Sequence, residues 1–103
     1  MNERRPSAMT RWVYILASRR NGALYIGTTG DLACCVRRHR AGNGAGPARR
    51  SRATRLVYAQ ALETAALARA RKRRLEKWPR HWTLRLIDRH NPGWRDLYGE
   101  LEG

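Results

Sequence analysis

Two apolar runs separated by a turn signal constrain the fold more than any other feature of this sequence. Residues 12–17 are apolar, and several of them are aromatic or β-branched; a second such run follows at residues 23–27. Residues of these types favour strands, and the pair Asn21-Gly22 between the runs favours a tight turn between antiparallel strands. The pattern predicts a β-hairpin near the start of the domain.

The hairpin brings two tyrosines onto one face of a sheet. Side chains alternate between faces along a strand, so Trp12, Tyr14 and Leu16 share a face. A strict two-residue turn would set Tyr25 opposite Ser18, which keeps it on the face of Tyr14. We therefore expect the two tyrosines to share this face, at a separation that depends on loop length.

The elements after the hairpin alternate between helix and strand. Thr28, followed three residues later by Asp31, is interpreted as the N-cap of a helix over residues 30–41. A glycine-rich cationic loop then leads to a third strand at residues 54–60. Strong helix formers fill residues 63–77, and residues 82–87 are interpreted as helical.

A few apolar residues are expected to form the buried faces of the helices and the tail after residue 62. The 63–77 helix is expected to turn a narrow stripe inward, formed by Leu67, Ala70, Leu75 and Trp78. Tryptophans 78, 82 and 94 are interpreted as core residues. A tail beginning at Asn91-Pro92 is expected to dock on the core through Trp94, Leu97 and Tyr98.

The length supports one domain, and the charge indicates its partner. The chain has 103 residues, and 22 basic residues against 8 acidic ones give a formal net charge of +14, almost all from arginine. Guanidinium groups grip phosphate oxygens in pairs, so the charge predicts a nucleic-acid partner. A bland alternative is that the arginine content reflects genomic base composition and solubility. The arginines expected to contact nucleic acid are Arg37, Arg38, Arg49, Arg50, Arg52, Arg69 and Arg73.

Other classes of protein are disfavoured by composition. No stretch approaches the roughly 20 apolar residues of a membrane span, and residues 1–10 lack the apolar segment of a signal peptide. We therefore expect a soluble, cytoplasmic protein. Cys34 and Cys35 are neighbours, which makes a structural disulfide between them unfavourable.

The motifs on this scaffold resemble the GIY-YIG nuclease domain in its small stand-alone bacterial form. The matching segments are Trp12-Val13-Tyr14-Ile15-Leu16, Tyr25-Ile26-Gly27, Thr28 to Leu32, His39, Leu56-Val57-Tyr58, Trp78-Pro79-Arg80, Leu86-Ile87 and Asn91-Pro92-Gly93-Trp94-Arg95-Asp96-Leu97. The resemblance covers residues 11–98. It predicts one domain over those residues, between an N-terminal tail at 1–10 and a C-terminal tail at 99–103.

The resemblance implies both a fold and a chemistry. The fold is of the α+β class, with a small three-stranded antiparallel sheet flanked by helices. The chemistry is one-metal hydrolysis of a phosphodiester with Mg²⁺ or Mn²⁺, in which Tyr14, Tyr25 and His39 stand at the family's catalytic positions. An arginine steadies the phosphate in that mechanism, and a glutamate holds the metal.

Two of these roles fall on replaced residues. The family arginine lies four residues before His39, which is Cys35 here, and the family glutamate lies three residues before the position of Leu75, which is Lys72. A thiol cannot grip phosphate as a guanidinium does, and an ammonium cannot ligate a metal ion. The resemblance with these changes predicts nucleic-acid binding, DNA favoured over RNA, with hydrolysis weak or lost.

Several alternatives stay open. Glu76 lies one helical turn beyond Lys72, and one alternative is an active endonuclease in which Glu76 is a displaced metal ligand. A structural RNA-binding protein is a further alternative. Cys35 and His39 share a helix face, so a Cys-His metal pair or a thiolate nucleophile is another alternative, although no third metal ligand is evident nearby. The sequence does not predict an oligomeric state.

Overall fold

Three antiparallel strands form the central sheet of the protein. The structure is a computed structural model, and it describes residues 10–42 and 52–102. Within those residues the strands are β1 (Arg11–Ala17), β2 (Leu24–Thr29) and β3 (Arg55–Leu62), and the helices are α1 (Leu32–Arg40), α2 (Ala65–Lys77), α3 (Arg80–His90) and α4 (Tyr98–Glu102). The strand order is β2-β1-β3. This architecture confirms the predicted α+β class and its three-stranded antiparallel sheet.

The hairpin keeps the predicted faces with a longer loop. Leu16 lies opposite Tyr25, and Tyr14 lies opposite Gly27. The last pair before the loop is Ser18 and Ala23, joined by a backbone hydrogen bond of 3.0 Å. The register is therefore displaced by two residues from that of a strict two-residue turn. Because a shift of two preserves the alternation of side chains, Tyr14 and Tyr25 still share one face.

The central position of β1 explains its unbroken apolar run. Residues 13–17 are all buried, since helices cover both faces of the sheet. One face carries the cluster Tyr14, Leu16, Leu32, Val36, Ala53 and Leu56. The opposite face carries Ile15, Ala17, Val57, Tyr58, Ile87 and Trp94, beside Val13, Ala68 and Leu75. The helix α1 thus lies on the face of Tyr14, and α2 and α3 lie on the other.

The N-cap of α1 is Asp31, so the assignment of this role to Thr28 was wrong. Thr28 belongs to β2 and pairs with Val13 of β1. The Asp31 side chain accepts a hydrogen bond of 3.1 Å from the backbone N–H of Cys34. The strand therefore continues to Thr29, and the helix starts three residues later than a Thr28 cap would require.

The inward stripe of α2 also differs from the predicted one. Ala68 and Leu75 are its buried residues, whereas Leu67 is 51% exposed and Ala70 is exposed. The small Ala68 side chain lets the helix backbone approach the sheet closely, so the stripe runs one position away from Leu67. As a result, Arg71 and Lys72 become half-buried.

The C-terminal segment docks as predicted, through Trp94. This side chain is fully buried, and its indole N–H donates to Asp88 Oδ1 at 2.6 Å. Asn91 is also buried, and its amide donates to the carbonyls of Val57 and Arg95 at 3.2 and 2.9 Å. Leu97 and Tyr98 are half-buried, and the chain then forms α4.

Two further expectations have different outcomes. Trp82 is 48% exposed, so its interpretation as a core residue was wrong; it lies on the outer side of α3, whose buried residues are Thr83 and Ile87. Cys34 and Cys35 are both free thiols, as predicted. Among residues 10–42 and 52–102, no helix combines the length and apolar character needed to cross a membrane.

Candidate active site

Three predicted catalytic side chains meet beneath α1. Tyr14, at the centre of β1, has its hydroxyl oxygen 3.3 Å from Nε2 of His39. The ring of Tyr25 lies 6.2 Å from that of Tyr14 and 5.4 Å from that of His39, between centroids. The sheet face and one side of α1 thus bring together residues that are up to 25 positions apart in the chain.

Cys35 joins this cluster from one helical turn before His39. Its thiol donates to the hydroxyl oxygen of Tyr14 at 3.2 Å. The side chain that stands at the family's arginine position therefore points inward and pairs with a tyrosine. It carries no cationic fork, so at this position the chain lacks the charge that would hold a phosphate.

Gly27 makes room for the Tyr14 hydroxyl. It lies opposite Tyr14 in the hairpin, and a Cβ atom at this position would stand 2.5 Å from the hydroxyl oxygen. Because real Cβ atoms do not approach so closely, only glycine fits without a shift of the tyrosine. The Tyr25-Ile26-Gly27 motif therefore supplies one ring of the cluster and the space for another.

Burial sets the protonation of the cluster. It raises the pKa of Tyr14 well above its ordinary value of 10.0. Burial also lowers the pKa of His39 below its ordinary 6.5. At neutral pH the tyrosine therefore keeps its proton and the histidine is neutral. With Cys35 donating to Tyr14, the tyrosine proton is directed at Nε2, and His39 can act as its acceptor.

Tyr25 connects this buried cluster to an open groove at the free edge of β2. The groove has a volume of about 550 Å³ and is lined by Leu24, Tyr25, Ile26, Lys72, Leu75, Glu76, Trp78, Arg80 and Thr83. Its walls are the β2 edge, the C-terminal half of α2 and the start of α3. A ligand in this groove would touch Tyr25 directly, whereas Tyr14 and His39 are only 2% and 8% exposed.

Lys72 and Glu76 form an ion pair in this groove. The Lys72 Nζ atom lies 3.1 Å from Glu76 Oε2, and both side chains are partly exposed. Glu76, the alternative metal ligand of the sequence analysis, lines the groove together with Tyr25. The carboxylate nevertheless has an ammonium as its partner.

A divalent cation does not fit this donor set. Mg²⁺ takes oxygen ligands and is usually bound through one or two carboxylates, which must not be neutralised by another cation. Glu76 is the one carboxylate among the described residues of the groove, and Lys72 and Arg80 add two positive charges there. In the part of the chain that the structure describes, no group of three or more His, Cys, Asp or Glu side chains gathers.

Arg80 lines the groove, although the sequence analysis named it only within a matching motif and assigned it no role. Its guanidinium donates to the carbonyls of Asn21 and Gly22 at 2.9 and 2.7 Å, which fixes a positive charge between the hairpin loop and α3. The sequence feature that could have identified Arg80 is the motif Trp78-Pro79-Arg80, which matches the family. Trp78 is the C-cap of α2 and Pro79 is the N-cap of α3, and both Trp78 and Arg80 line the groove.

The predicted nucleic-acid-binding arginines lie on both sides of the sheet. Arg37 and Arg38 are exposed on α1, and Arg69 and Arg73 are exposed on α2, which covers the opposite face. Arg52 is also exposed. Arg49 and Arg50 lie outside the described residues. The structure therefore distributes these charges around the domain and does not gather them on one face.

Comparison with known proteins agrees with this geometry. The family model described as the GIY-YIG catalytic domain matches residues 10–91 of the chain. No significant match is found among curated proteins or among solved structures. Members of this family are nucleases that generally depend on a divalent metal ion. Since the match spans most of the chain and includes the sheet, both tyrosines and His39, the protein belongs to the GIY-YIG nuclease family.

Proposed function

We propose that this protein binds nucleic acid, with DNA favoured over RNA, and that its phosphodiester hydrolysis is weak or lost. The observation that carries the proposal is the Lys72–Glu76 ion pair in the groove beside Tyr25. An ammonium repels a divalent cation and occupies the nearest carboxylate. The groove is therefore suited to an anion, such as a backbone phosphate, in place of a metal ion.

Cys35 supports the same proposal from the other side of Tyr25. Loss of one electrostatic contact to a transition state typically removes about 3 to 4 kcal/mol of stabilisation, or on the order of a hundredfold to a thousandfold in rate. The Cys35 thiol bonds to Tyr14 and supplies no such contact. Together, the two replacements leave the tyrosine and histidine cluster without its partners in catalysis.

The binding part of the proposal rests on charge. The net charge of +14 and the exposed arginines of α1 and α2 favour phosphate contacts, and a nucleic-acid partner accords with a cytoplasmic location. We expect the affinity for DNA to fall steeply with salt, because phosphate contacts release bound counterions. A dissociation constant weaker than about 10⁻⁴ M at low salt, or one independent of salt, would refute this part.

A timed digestion tests the catalytic part. Single-stranded and duplex DNA are incubated with the protein and Mg²⁺ or Mn²⁺. We expect little cleavage by the natural chain, and a gain for the double variant Cys35→Arg with Lys72→Glu but for neither single variant. Absence of a gain in a folded double variant that still binds DNA would contradict the assignment of these two positions.

An active endonuclease with Glu76 as metal ligand is the second candidate, favoured by the position of Glu76 in the groove beside Tyr25. It predicts metal-dependent cleavage by the natural chain that Glu76→Ala abolishes. Glu100→Ala is the matched control, since Glu100 pairs with Arg95 outside the groove. Cleavage with this pattern would overturn the inactive assignment. Preferential binding of RNA, with no cleavage by any variant, would instead favour a structural RNA-binding protein.

A further inference from the structure

Trp82 is an exposed aromatic side chain that packs against a second tryptophan. It is 48% exposed, and its ring meets that of Trp78 edge-on, with 5.7 Å between centroids. Trp78 is itself held by the Arg71 guanidinium, which lies 5.5 Å from its ring centroid. Arg71 thus contacts Trp78, and Trp78 contacts Trp82. A ring held by such contacts loses little conformational freedom when a ligand stacks on it.

Two cations border this ring. Trp82 lines a shallow cavity of about 220 Å³ together with Trp78, Arg85, Leu86 and Arg89. Arg85 and Arg89 are one turn apart on α3 and are exposed. Within residues 10–42 and 52–102, neither guanidinium forms an ion pair. An aromatic face with adjacent unpaired guanidiniums is the combination that binds a nucleobase and its phosphates.

The cavity adjoins the groove of the candidate active site. Trp78 lines both of them, so a strand that crosses the groove past Lys72 and Arg80 would reach Trp82 next. Leu67 offers a contrast: among residues 10–42 and 52–102 it is the other large exposed apolar side chain, and it does not line this cavity or the groove. Exposed area alone therefore does not distinguish Trp82 from Leu67. What distinguishes Trp82 is its aromatic ring, its contact with Trp78, and the neighbouring Arg85 and Arg89.

We propose that Trp82, Arg85 and Arg89 form a stacking site for an unpaired base of single-stranded nucleic acid, whose backbone continues into the groove. The ligand is single-stranded because the bases of a duplex interior are already stacked and present no free face. The inference rests on the proposed nucleic-acid binding and adds to it a preference for unpaired bases. Positive charge at Arg85 and Arg89 complements the flanking phosphates.

The test compares three labelled ligands of equal length by fluorescence anisotropy: a single strand, a blunt duplex and a single strand of abasic sites. For Trp82→Ala we expect the affinity for the single strand to fall by about 5- to 150-fold, the range for loss of one stacked base. Affinity for the abasic strand should stay unchanged, and affinity for the duplex should change little. Trp82→Phe should retain most of the binding, and Leu67→Ala is the matched control.

The outcomes separate this inference from the proposed function. If the natural chain binds none of the ligands, both fail. If it binds with a salt-dependent affinity that Trp82→Ala leaves unchanged, the stacking site is rejected and nucleic-acid binding stands. An equal loss for the abasic and the normal strand also rejects stacking. A change from dimer to monomer in Trp82→Ala, measured by sedimentation with affinity unaltered, would assign the patch to self-association.

Discussion

The Tyr14 hydroxyl oxygen lies 3.3 Å from Nε2 of His39 and also accepts a hydrogen bond from the Cys35 thiol. The three side chains therefore form one chain of hydrogen bonds beneath α1. Tyr14 is its central member and is 2% exposed. Because water cannot easily replace a missing partner in such a place, removal of one member leaves another unsatisfied.

The first prediction concerns the central hydroxyl. Tyr14→Phe removes the group that serves both Cys35 and His39, and we expect the free energy of unfolding to fall by about 1 to 3 kcal/mol, the range for a buried polar group left without its partner. Urea denaturation measures this change. Tyr98→Phe is the control, since that ring is half-buried and its hydroxyl contact with Arg37 is longer, at 3.5 Å. Equal effects of the two substitutions would contradict the importance of the buried chain.

A second prediction follows from the space above Gly27. Gly27→Ala places a methyl group against the Tyr14 hydroxyl, and we expect a loss of about 1 to 3 kcal/mol from forced repacking. Gly99→Ala is the matched control, because a Cβ at Gly99 meets no atom within 4 Å and alanine favours helix. Thermal denaturation of both variants measures the difference. A Gly27→Ala protein as stable as the Gly99→Ala protein would show that the tyrosine moves aside freely.

The third prediction concerns pH. Burial lowers the pKa of His39 in the folded protein below its ordinary 6.5, so the unfolded chain binds a proton first as the pH falls. The contribution of His39 to stability is therefore complete above about pH 6.5 and is lost as the pH decreases through the folded pKa. For one group the slope is at most about 1.4 kcal/mol per pH unit.

Denaturant titrations at several pH values test this dependence. His39→Gln should remove that part of the slope below pH 6.5, whereas His81→Gln, at an exposed position, should retain it. The expectation fails if the His39→Gln protein loses stability with acid as steeply as the natural one.

A fourth prediction concerns the docked tail. The Asn91 amide donates to two carbonyls, and its oxygen accepts from the Arg95 N–H. Asn91→Asp keeps the shape but faces those carbonyls with a carboxylate, so we expect a loss of roughly 2 to 4 kcal/mol at neutral pH. Asn21→Asp, in the exposed hairpin loop, should change stability by less than about 0.5 kcal/mol. Chemical denaturation measures both changes. Equal stabilities of the two variants would contradict the role of the Asn91 hydrogen bonds in holding the tail.

The hairpin could be predicted from the sequence because side chains alternate between the two faces of a sheet along each strand. The hairpin and the shared face of Tyr14 and Tyr25 follow from this alternation, whereas the docking of Trp94 was predicted from the apolar residues of the tail. Helix boundaries were less predictable. Thr28 and Asp31 are both good capping residues, and only the pairing of Thr28 with Val13 in the ladder decides between them.

The sequence predicted which residues gather at the candidate site better than it predicted how their neighbours on α2 and α3 are placed. The resemblance to the GIY-YIG family assigned Tyr14, Tyr25 and His39 to the site, and the structure brings the three side chains together. The stripe of α2 depends on how closely Ala68 approaches the sheet, which spacing does not reveal. For the same reason, residue spacing does not reveal that Glu76 pairs with Lys72 or that Trp82 is exposed on the outer side of α3.

The hairpin register limits how its loop can vary in length. The loop here is displaced by two residues from the shortest turn, and both tyrosines still point towards α1. A slip of the strand pairing by two more residues would keep both rings on this face. A slip by one would turn Tyr25 to the opposite side of the sheet and carry it away from Tyr14 and His39. A change in this hairpin therefore preserves the cluster only where it keeps the parity of the strand register.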